Sequence, residues 1–428
     1  MARRAIAMTM ALAAVMTMAA CGRTQNNGVP SPSDASSVEP GKATGTITMW
    51  GQGAEAAALP ALLEDFEAAN PEVDVELTAI PWEAAHNKYQ TAIAGGTTPD
   101  LAQLGTTWMA DFATALDPVP AVVDTSDMFA GSLEPTVVQG TSLGVPWYVD
   151  TRVIFYRTDM AAEAGYPKPP TTWDDFKAMS KAMQTRAGAE WGIALPPGGT
   201  EGTDFFQSVP LPFAWSNGAS LMNAEETEWT FDTPQMIEAL EYYQSFFADG
   251  IADEDLSTAP GAIVAEFVSG ETPMFVGPPS EIGQLELAGG SEFSSKWAVM
   301  RIPKKATSTS FIGGSDLVVF EDAENRDGAW KLIQYLSQPD TQTAFYESTG
   351  DLPSVRSAWD DPSLSEDERL AVFEAQLTDT NAPPASTAWT QMSAAADTQL
   401  ERIVKSGEDP ATAMATLQST ADSIGTGS

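Results

Sequence analysis

The feature that most constrains this chain is a regular alternation of strand and helix signals after residue 44. Residues 47–50 predict a strand, and apolar positions at helical spacing follow over 59–66. Residues 73–79 alternate apolar with polar side chains, 83–94 have the pattern of a helix, and 101–104 predict a short third strand. Consecutive strands joined by helices need crossover connections, which produce a mostly parallel sheet. The sequence therefore predicts an α/β fold.

A long apolar stretch indicates more than one domain. Residues 145–156 are too many for one strand of ordinary length, so we expect this stretch to leave one domain and enter another. Thr172 is predicted to cap an amphipathic helix. Residues 311–312 and 317–320 are predicted as buried strand, separated by a turn at two glycines, and the chain after 325 is mostly helical. A length of 428 residues allows two or three domains.

The charge and the counts of two residue types exclude several functions. The chain has 21 Lys and Arg against 59 Asp and Glu, a net charge of −38. Nucleic acids and anionic lipid surfaces both need clustered cations, so neither is an expected partner. The single Cys and the single His, Cys21 and His86, exclude an intrachain disulfide, cysteine metal sites and multi-histidine metal sites. We therefore expect no metal and no cofactor.

The amino-terminal residues have the pattern of a secretory signal rather than of a folded domain. Positions 3–20 hold two arginines and then sixteen mostly small or apolar residues, too few for a membrane span. The run ends in Met-Ala-Ala-Cys-Gly around Cys21, which resembles the lipobox of bacterial lipoproteins. We expect residues 1–20 to be removed, Cys21 to carry palmitate, and 21–43 to be a flexible tether at the outer face of the cell membrane. The alternative is an ordinary signal peptide that ends near a cysteine.

The predicted topology indicates where a ligand would bind. In open parallel sheets the binding crevice lies beyond the carboxyl ends of the strands. Three predicted loops lie there, at 51–55, 105–108 and 313–316. Their candidate binding residues are Gln52, Glu55, Thr106, Thr107, Trp108 and Asp316. Amides, hydroxyls, carboxylates and an indole suit a neutral polyhydroxylated ligand, whereas an anionic ligand would require the cations that these loops lack.

Further candidates lie outside these loops. Trp82 and Trp215 are in loop-like surroundings, unlike most of the other tryptophans. Strand alternation over 145–156 places Tyr148, Asp150 and Arg152 on one face, which offers an aromatic ring, an acid and a base. The alternative for Asp150 and Arg152 is a purely structural ion pair.

Four stretches carry a resemblance to a known family. They are Thr46-Ile-Thr-Met-Trp-Gly, Ala94-Gly-Gly-Thr-Thr-Pro-Asp-Leu, Val145-Pro-Trp-Tyr-Val-Asp-Thr-Arg-Val-Ile-Phe-Tyr-Arg and Pro170-Thr-Thr-Trp-Asp-Asp-Phe. With the lipobox and the acidic body, they resemble the extracellular solute-binding proteins of carbohydrate ABC transporters. The resemblance implies a periplasmic-binding-protein-like type II fold, similar in layout to maltose-binding protein. That fold has two α/β lobes around mostly parallel sheets, a hinge, and a sugar in the cleft between the lobes.

The resemblance also implies roles for particular residues. Asp150 takes the place of an acidic residue that commonly binds a sugar hydroxyl at the family's first crossover. Residues 277–281 match a Gly-Pro-aromatic segment, but Pro279 stands where the stacking aromatic would be, and Glu281 ends the segment. Stacking is therefore expected from Trp108 or Trp215, on opposite walls.

The same resemblance implies a division of the chain and a set of partners. Lobe one is expected over 44–151 and 309–350, and lobe two over 152–308 and 351–428. The implied function is binding of a carbohydrate and delivery to permease subunits of an ABC transporter by a monomer without enzymatic activity. The alternative function is a secreted glycoside hydrolase, whose paired carboxylates would come from Asp150, Glu281 and Asp316.

Overall fold

The computed structural model describes residues 28–199 and 205–427. The predicted signal peptide, Cys21 and the first residues of the predicted tether lie outside the described residues. Within the described part of the chain, no helix is long and apolar enough to cross a membrane.

The strands divide between two main sheets, with a small hairpin of β4 and β5 apart from them. The strands are β1 (Thr44–Gln52), β2 (Glu72–Ile80), β3 (Leu101–Gly105), β4 (Val137–Val138), β5 (Thr141–Ser142), β6 (Val145–Thr151), β7 (Val153–Arg157), β8 (Met274–Gly277), β9 (Trp297–Met300), β10 (Ser310–Val319), β11 (Leu352–Pro353) and β12 (Thr380–Asn381).

Helices cover both main sheets. They are α1 (Glu55–Ala69), α2 (Trp82–Gly95), α3 (Met109–Phe112), α4 (Ala130–Leu133), α5 (Thr158–Glu163), α6 (Trp173–Arg186), α7 (Phe205–Ser208), α8 (Pro210–Ser216), α9 (Pro234–Ala248), α10 (Ala262–Ser269), α11 (Glu281–Gly289), α12 (Arg326–Leu336), α13 (Pro339–Thr349), α14 (Pro362–Ser365), α15 (Glu368–Leu377), α16 (Trp389–Lys405) and α17 (Pro410–Ile424). Short 3-10 helices lie at Pro32–Asp34, Thr106–Trp108, Ala113–Ala115, Glu134–Thr136, Ser294–Lys296 and Arg356–Asp360.

The larger sheet has seven strands in the order β11-β6-β10-β3-β1-β2, and β12 pairs with β10. The pairs β1–β2 and β1–β3 are parallel, as the strand and helix alternation predicts, and the pair β10–β12 is also parallel. The pairs β10–β3, β10–β6 and β11–β6 are antiparallel, so the sheet is mixed rather than mostly parallel. The predicted lobe boundary at residue 350 also leaves out β11, which pairs with β6 in this sheet.

The smaller sheet has three antiparallel strands in the order β8-β7-β9. Its helices enclose a core with large buried aromatic rings, among them Phe176, Phe213 and Tyr243. The predicted long strand over 145–156 is divided here into β6 and β7, which belong to different sheets. Arg152 is the one residue between them, so the chain changes sheets at that position.

The predicted Gly-Gly turn is wrong, because β10 runs without interruption through Gly313 and Gly314. Gly314 has a φ of +129°, and a Cβ there would lie 2.1 Å from the carbonyl oxygen of Tyr148. A glycine inside a strand often marks such a close approach of two backbones. The glycines therefore permit tight pairing with β6, and Asp316 lies in the sheet rather than in a loop.

The predicted tether is attached to the body over much of its length. Thr141 Oγ1 donates to the Pro30 carbonyl at 2.7 Å, and the Glu39 amide donates to Asp327 Oδ2 at 2.9 Å. The guanidinium of Arg326 reaches the Ser36 and Ser37 carbonyls at 3.1 and 3.4 Å. The tether prediction missed these contacts because a Ser- and Pro-rich segment without apolar periodicity gives no sign of a docking partner.

Loss of the Arg326 side chain should release this segment. We expect Arg326→Ala to increase hydrogen exchange of the Glu39 amide and of the 3-10 helix at Pro32–Asp34. The reason is that the segment loses its hydrogen bonds to the Arg326 guanidinium. Hydrogen exchange mass spectrometry measures this. Gln334→Ala is the control, since Gln334 is on the same helix and bonds to the Val122 carbonyl instead. Unchanged exchange in Arg326→Ala would show that the Arg326 side chain does not hold this segment to the body.

Candidate functional site

The amino ends of α1 and α2 bring a carboxylate and an indole together beside the larger sheet. Glu55 is the first residue of α1 and is buried. Its Oε1 accepts from the Tyr148 hydroxyl at 2.8 Å, and its Oε2 lies 3.3 Å from the indole nitrogen of Trp82, the first residue of α2. A carboxylate is favoured at a helix amino end, where the backbone amides are unpaired. Glu55 therefore joins three separate elements at one point.

Two tryptophans form an aromatic wall next to Glu55. The rings of Trp82 and Trp108 are 5.6 Å apart at an angle of 63°. Each indole lies over a glycine: a Cβ on Gly53 would be 2.5 Å from the Trp82 ring, and one on Gly105 would be 3.3 Å from the Trp108 ring. Gly53 also has a φ of +53°, which disfavours other residues. The glycines make room for the indoles at the ends of β1 and β3.

A buried hydrogen-bond chain leads from Gln52 to Tyr148, the residue that bonds to Glu55. Gln52 Nε2 donates to the Tyr89 hydroxyl and to the Gln103 carbonyl, at 3.0 and 2.8 Å. Gln103 Nε2 donates to Ser315 Oγ at 3.1 Å, and Ser315 Oγ lies 3.4 Å from the Tyr148 hydroxyl. Burial raises the pKa of the Tyr148 hydroxyl well above its usual value, and the Glu55 charge acts in the same direction. Tyr148 therefore remains a neutral donor.

The crossover residue Arg152 carries the charged part of the site. Its Nη1 donates to Asp150 Oδ2 at 2.5 Å, and its guanidinium lies 5.1 Å from the Phe311 ring centre. Glu281 begins α11, next to the smaller sheet, and burial raises the pKa of its carboxyl while the Arg152 charge opposes that rise. Asp150 Oδ1 and Glu281 Oε2 are buried and have no hydrogen-bond partner in the described part of the chain. Both atoms can accept from a bound molecule.

Asp351 is a further member of the site that the sequence did not reveal. Burial raises the pKa of its carboxyl from 3.8 to about 7, and the charges of Glu55 and Asp150 add to the rise. It follows α13 in a loop 201 residues after Asp150 and 296 after Glu55, so no local pattern indicates that they share a site. We call Glu55, Trp82, Trp108, Tyr148, Asp150, Arg152, Glu281 and Asp351 the crossover cluster.

With this geometry established, comparisons with known proteins identify the family. Residues 61–372 match the family described as bacterial extracellular solute-binding protein. The chain belongs to this family. It is therefore a binding protein that works outside the cytoplasm.

Individual known proteins also resemble the chain over most of its length. The sugar-binding protein MalE from Xanthomonas citri is 32% identical, with a TM-score of 0.82 over 89% of this chain and 97% of that chain. An ABC substrate-binding protein from Listeria monocytogenes in complex with cycloalternan is 23% identical, with a TM-score of 0.72 over 89% and 98%. The galactooligosaccharide-binding protein of Bacillus subtilis is 21% identical over 97% of this chain and 95% of its own length. The fold is that of the type II periplasmic binding proteins.

Two predicted site residues of this solute-binding protein lie elsewhere. Trp215 is buried in α8 and lines a cavity of about 230 Å³ with Glu134, Asn223 and Asn381, none of which belongs to the crossover cluster. Asp316 is 1% exposed within β10, and burial raises the pKa of its carboxyl strongly. A carboxyl enclosed in a sheet cannot reach a substrate, so the hydrolase alternative loses one of its three candidate acids.

The remaining predicted residues lie close to the wall. Thr106 and Thr107 form the 3-10 helix that carries Trp108, with Thr106 buried and Thr107 partly exposed. Gln52 is fully buried and bonds to Gln103 in the hydrogen-bond chain that leads to Tyr148. Among residues 28–199 and 205–427, no group of three or more His, Cys, Asp or Glu side chains is placed to hold a metal ion.

Replacement of the Asp351 carboxyl should change how stability depends on pH. The folded-state pKa of about 7 lies above the ordinary value of 3.8, so the folded protein holds this proton more tightly than the unfolded chain. Wild-type stability therefore falls relative to Asp351→Asn as the pH rises from about 4 to about 7, by at most about 4 kcal/mol, and the difference is constant above that window. Urea unfolding at a series of pH values measures it.

The control for this series is Asp361→Asn. Hydrogen bonds from Ser363 lower the pKa of the exposed Asp361 carboxyl, so this variant should lose stability relative to wild type above about pH 4, the opposite sign. A stability difference for Asp351→Asn that does not change with pH would show that Asp351 ionises normally.

Proposed function

We propose that this solute-binding protein binds a neutral sugar or oligosaccharide at the crossover cluster and delivers it to the permease of an ABC transporter. One observation carries the proposal: Trp82 and Trp108 form an angled wall next to Glu55, in a cluster whose Asp150 and Glu281 keep buried oxygens that lack a donor. Indole faces cover the C–H faces of sugar rings, and sugar hydroxyls supply the donors that Asp150 and Glu281 need. The sugar and oligosaccharide ligands of the related proteins support the same class.

The charges of the cluster favour a neutral ligand over an anion. Arg152 is the one cation of the cluster, and Asp150 already accepts from it. Glu55 adds a further carboxylate, and Glu281 and Asp351 add two carboxyls whose pKa values burial raises. An anionic ligand would face several carboxylates and find no free cation among these residues.

The same residues suit a hinge between two lobes. We propose a lobe around each sheet, with the boundaries that the sequence predicts except that β11 joins lobe one. Three chain segments meet between the sheets: Thr151 Oγ1 donates to the Phe311 carbonyl at 2.6 Å, Ser310 Oγ donates to the Arg152 carbonyl at 2.7 Å, and Asp379 accepts from Thr309 and Arg301. Closure lets wall and crossover residues contact one sugar at once, which would stabilise the closed state.

Calorimetric titration with a sugar panel tests the function and the role of Asp150. The panel is glucose, galactose, maltose, trehalose, cellobiose, maltotriose and cellotriose. For the member that binds most tightly, Asp150→Asn should weaken affinity about ten- to a hundredfold, because a charged hydrogen-bond acceptor to the sugar is lost. Asp159→Asn is the control, since Asp159 and Arg157 form a similar ion pair two residues apart. Wild-type affinity in folded Asp150→Asn would show that Asp150 only forms a structural ion pair with Arg152.

We also propose that Cys21 anchors the protein to the membrane through lipid. The Met-Ala-Ala-Cys-Gly sequence supports lipidation, as does the absence of any other cysteine. Seven residues separate Cys21 from Val29, which packs against the larger sheet's core. Eight residue steps span at most roughly 28 Å, so the docked segment would keep lobe one close to the membrane.

Substitution of Cys21 tests the anchor. The wild-type protein should incorporate labelled palmitate and sediment with membranes, and Cys21→Ser should do neither, because the thiol is the attachment point. Sugar affinity should be the same in both forms, since Cys21 is not part of the crossover cluster. Labelled Cys21→Ser in the membrane fraction would contradict the proposal.

A further inference from the structure

The only histidine of the chain packs against the aromatic wall. His86 is one helical turn after Trp82 on α2, so the two side chains project from the same face of the helix. Both rings meet Trp108: the His86 and Trp108 ring centres are 5.3 Å apart at an angle of 79°, an edge-to-face contact. Trp108 therefore contacts two side chains of α2.

A hydrogen bond fixes the orientation of this imidazole. His86 Nε2 lies 2.9 Å from Asp111 Oδ2. An ionised carboxylate can only accept, so Nε2 carries the proton and donates it. Asp111 is on α3, three residues after Trp108. The bond therefore ties α2, which carries Trp82, to the segment that carries Trp108, and the side chains are only 31% and 19% exposed.

Trp108 is partly buried and also packs against the core that contains Met109 and Phe112. Gly105 lies beneath the indole and presents no side chain. The imidazole also packs on Phe112, with ring centres 4.9 Å apart, so His86 itself is held from two sides. A ring held in this way can transmit its position to a neighbour.

We propose that His86 is a positioning residue, braced by Asp111, that holds Trp108 at its angle to Trp82 and so sets the stacking wall for the sugar. The inference rests on the proposed function, because the angle of the wall matters only to a ligand that stacks on it. His86 itself need not touch the sugar. Its effect on affinity should therefore depend on the presence of the Trp108 indole.

A double-mutant cycle measures that dependence. With the panel sugar that binds most tightly, His86→Ala should weaken affinity about three- to tenfold in the wild-type background and change it less than twofold in Trp108→Ala. Asp111→Asn keeps an acceptor for Nε2–H and should retain most of the affinity, whereas Asp111→Ala should resemble His86→Ala. Asn87→Ala, at an exposed neighbour on α2, is the control and should not change affinity.

A second measurement needs no sugar. Indoles 5.6 Å apart couple their electronic transitions, so the circular dichroism difference between wild type and Trp108→Phe should contain a pair of bands of opposite sign. His86→Ala should weaken this pair, and Asn87→Ala should preserve it. Thermal melts verify that each variant is folded.

The outcomes separate this inference from the proposed function. If no panel sugar binds wild type, the proposed function fails. The circular dichroism bands alone then test whether His86 positions Trp108. If sugar binds but Trp108→Ala has no effect, the positioning role is overturned while the function stands. Equal loss from His86→Ala in both backgrounds, or no loss, or unchanged bands in His86→Ala, would also overturn it.

Discussion

The structure depends on a single point at which the chain leaves one sheet and enters another. Arg152 lies between β6 and β7, and its backbone carbonyl accepts from Ser310 at the point where β10 begins. Its guanidinium forms an ion pair with Asp150, and its charge opposes the rise in the pKa of the Glu281 carboxyl. A cation that is only 15% exposed needs such partners, because its partial desolvation is costly without them. Acidic side chains therefore lie around Arg152, where the two sheets meet.

This concentration of acids has a consequence for stability. Burial and the charges of Glu55 and Asp150 raise the pKa of the Asp351 carboxyl to about 7, so this group is partly protonated near neutral pH. Asp150 and Glu281 each keep a buried oxygen without a donor in the described part of the chain. Unpaired buried acceptors reduce the stability of a folded protein, and binding sites commonly retain them because a ligand satisfies them. In the proposed function, sugar hydroxyls fill that role while Trp82 and Trp108 cover the ring.

Sequence patterns predicted the parts of the fold that depend on local periodicity. The elements from β1 to β3 follow from apolar spacing, and the switch between sheets near Arg152 follows from a stretch too long for one strand. Several separate signals named members of the crossover cluster as candidates. Glu55 and Trp108 came from loops at strand ends, and Tyr148, Asp150 and Arg152 came from strand alternation. Glu281 came only from the family resemblance. Trp215 lies in α8 rather than in a loop, because a Trp beside polar residues at a helix end has the same local sequence pattern as one in a loop.

The remaining differences come from contacts between distant parts of the chain. Gly313 and Gly314 have the composition of a turn, and only the approach of β6 shows why glycine is needed inside β10. The raised pKa of Asp351 and the bonds of Arg326 to the amino-terminal segment both depend on residues hundreds of positions away. No window of sequence contains both partners. The parallel prediction failed for β6, β10 and β11 because pairing direction is set by the route of the whole chain.

The central claim is that the ligand binds at the crossover cluster, and a crystal structure of the complex with the tightest-binding panel sugar tests it most directly. The account predicts a sugar ring against Trp82 or Trp108, with hydroxyl oxygens within hydrogen-bond distance of Asp150 Oδ1 and Glu281 Oε2. A sugar bound instead in the cavity beside Trp215 and Glu134, with the crossover cluster unchanged, would contradict it.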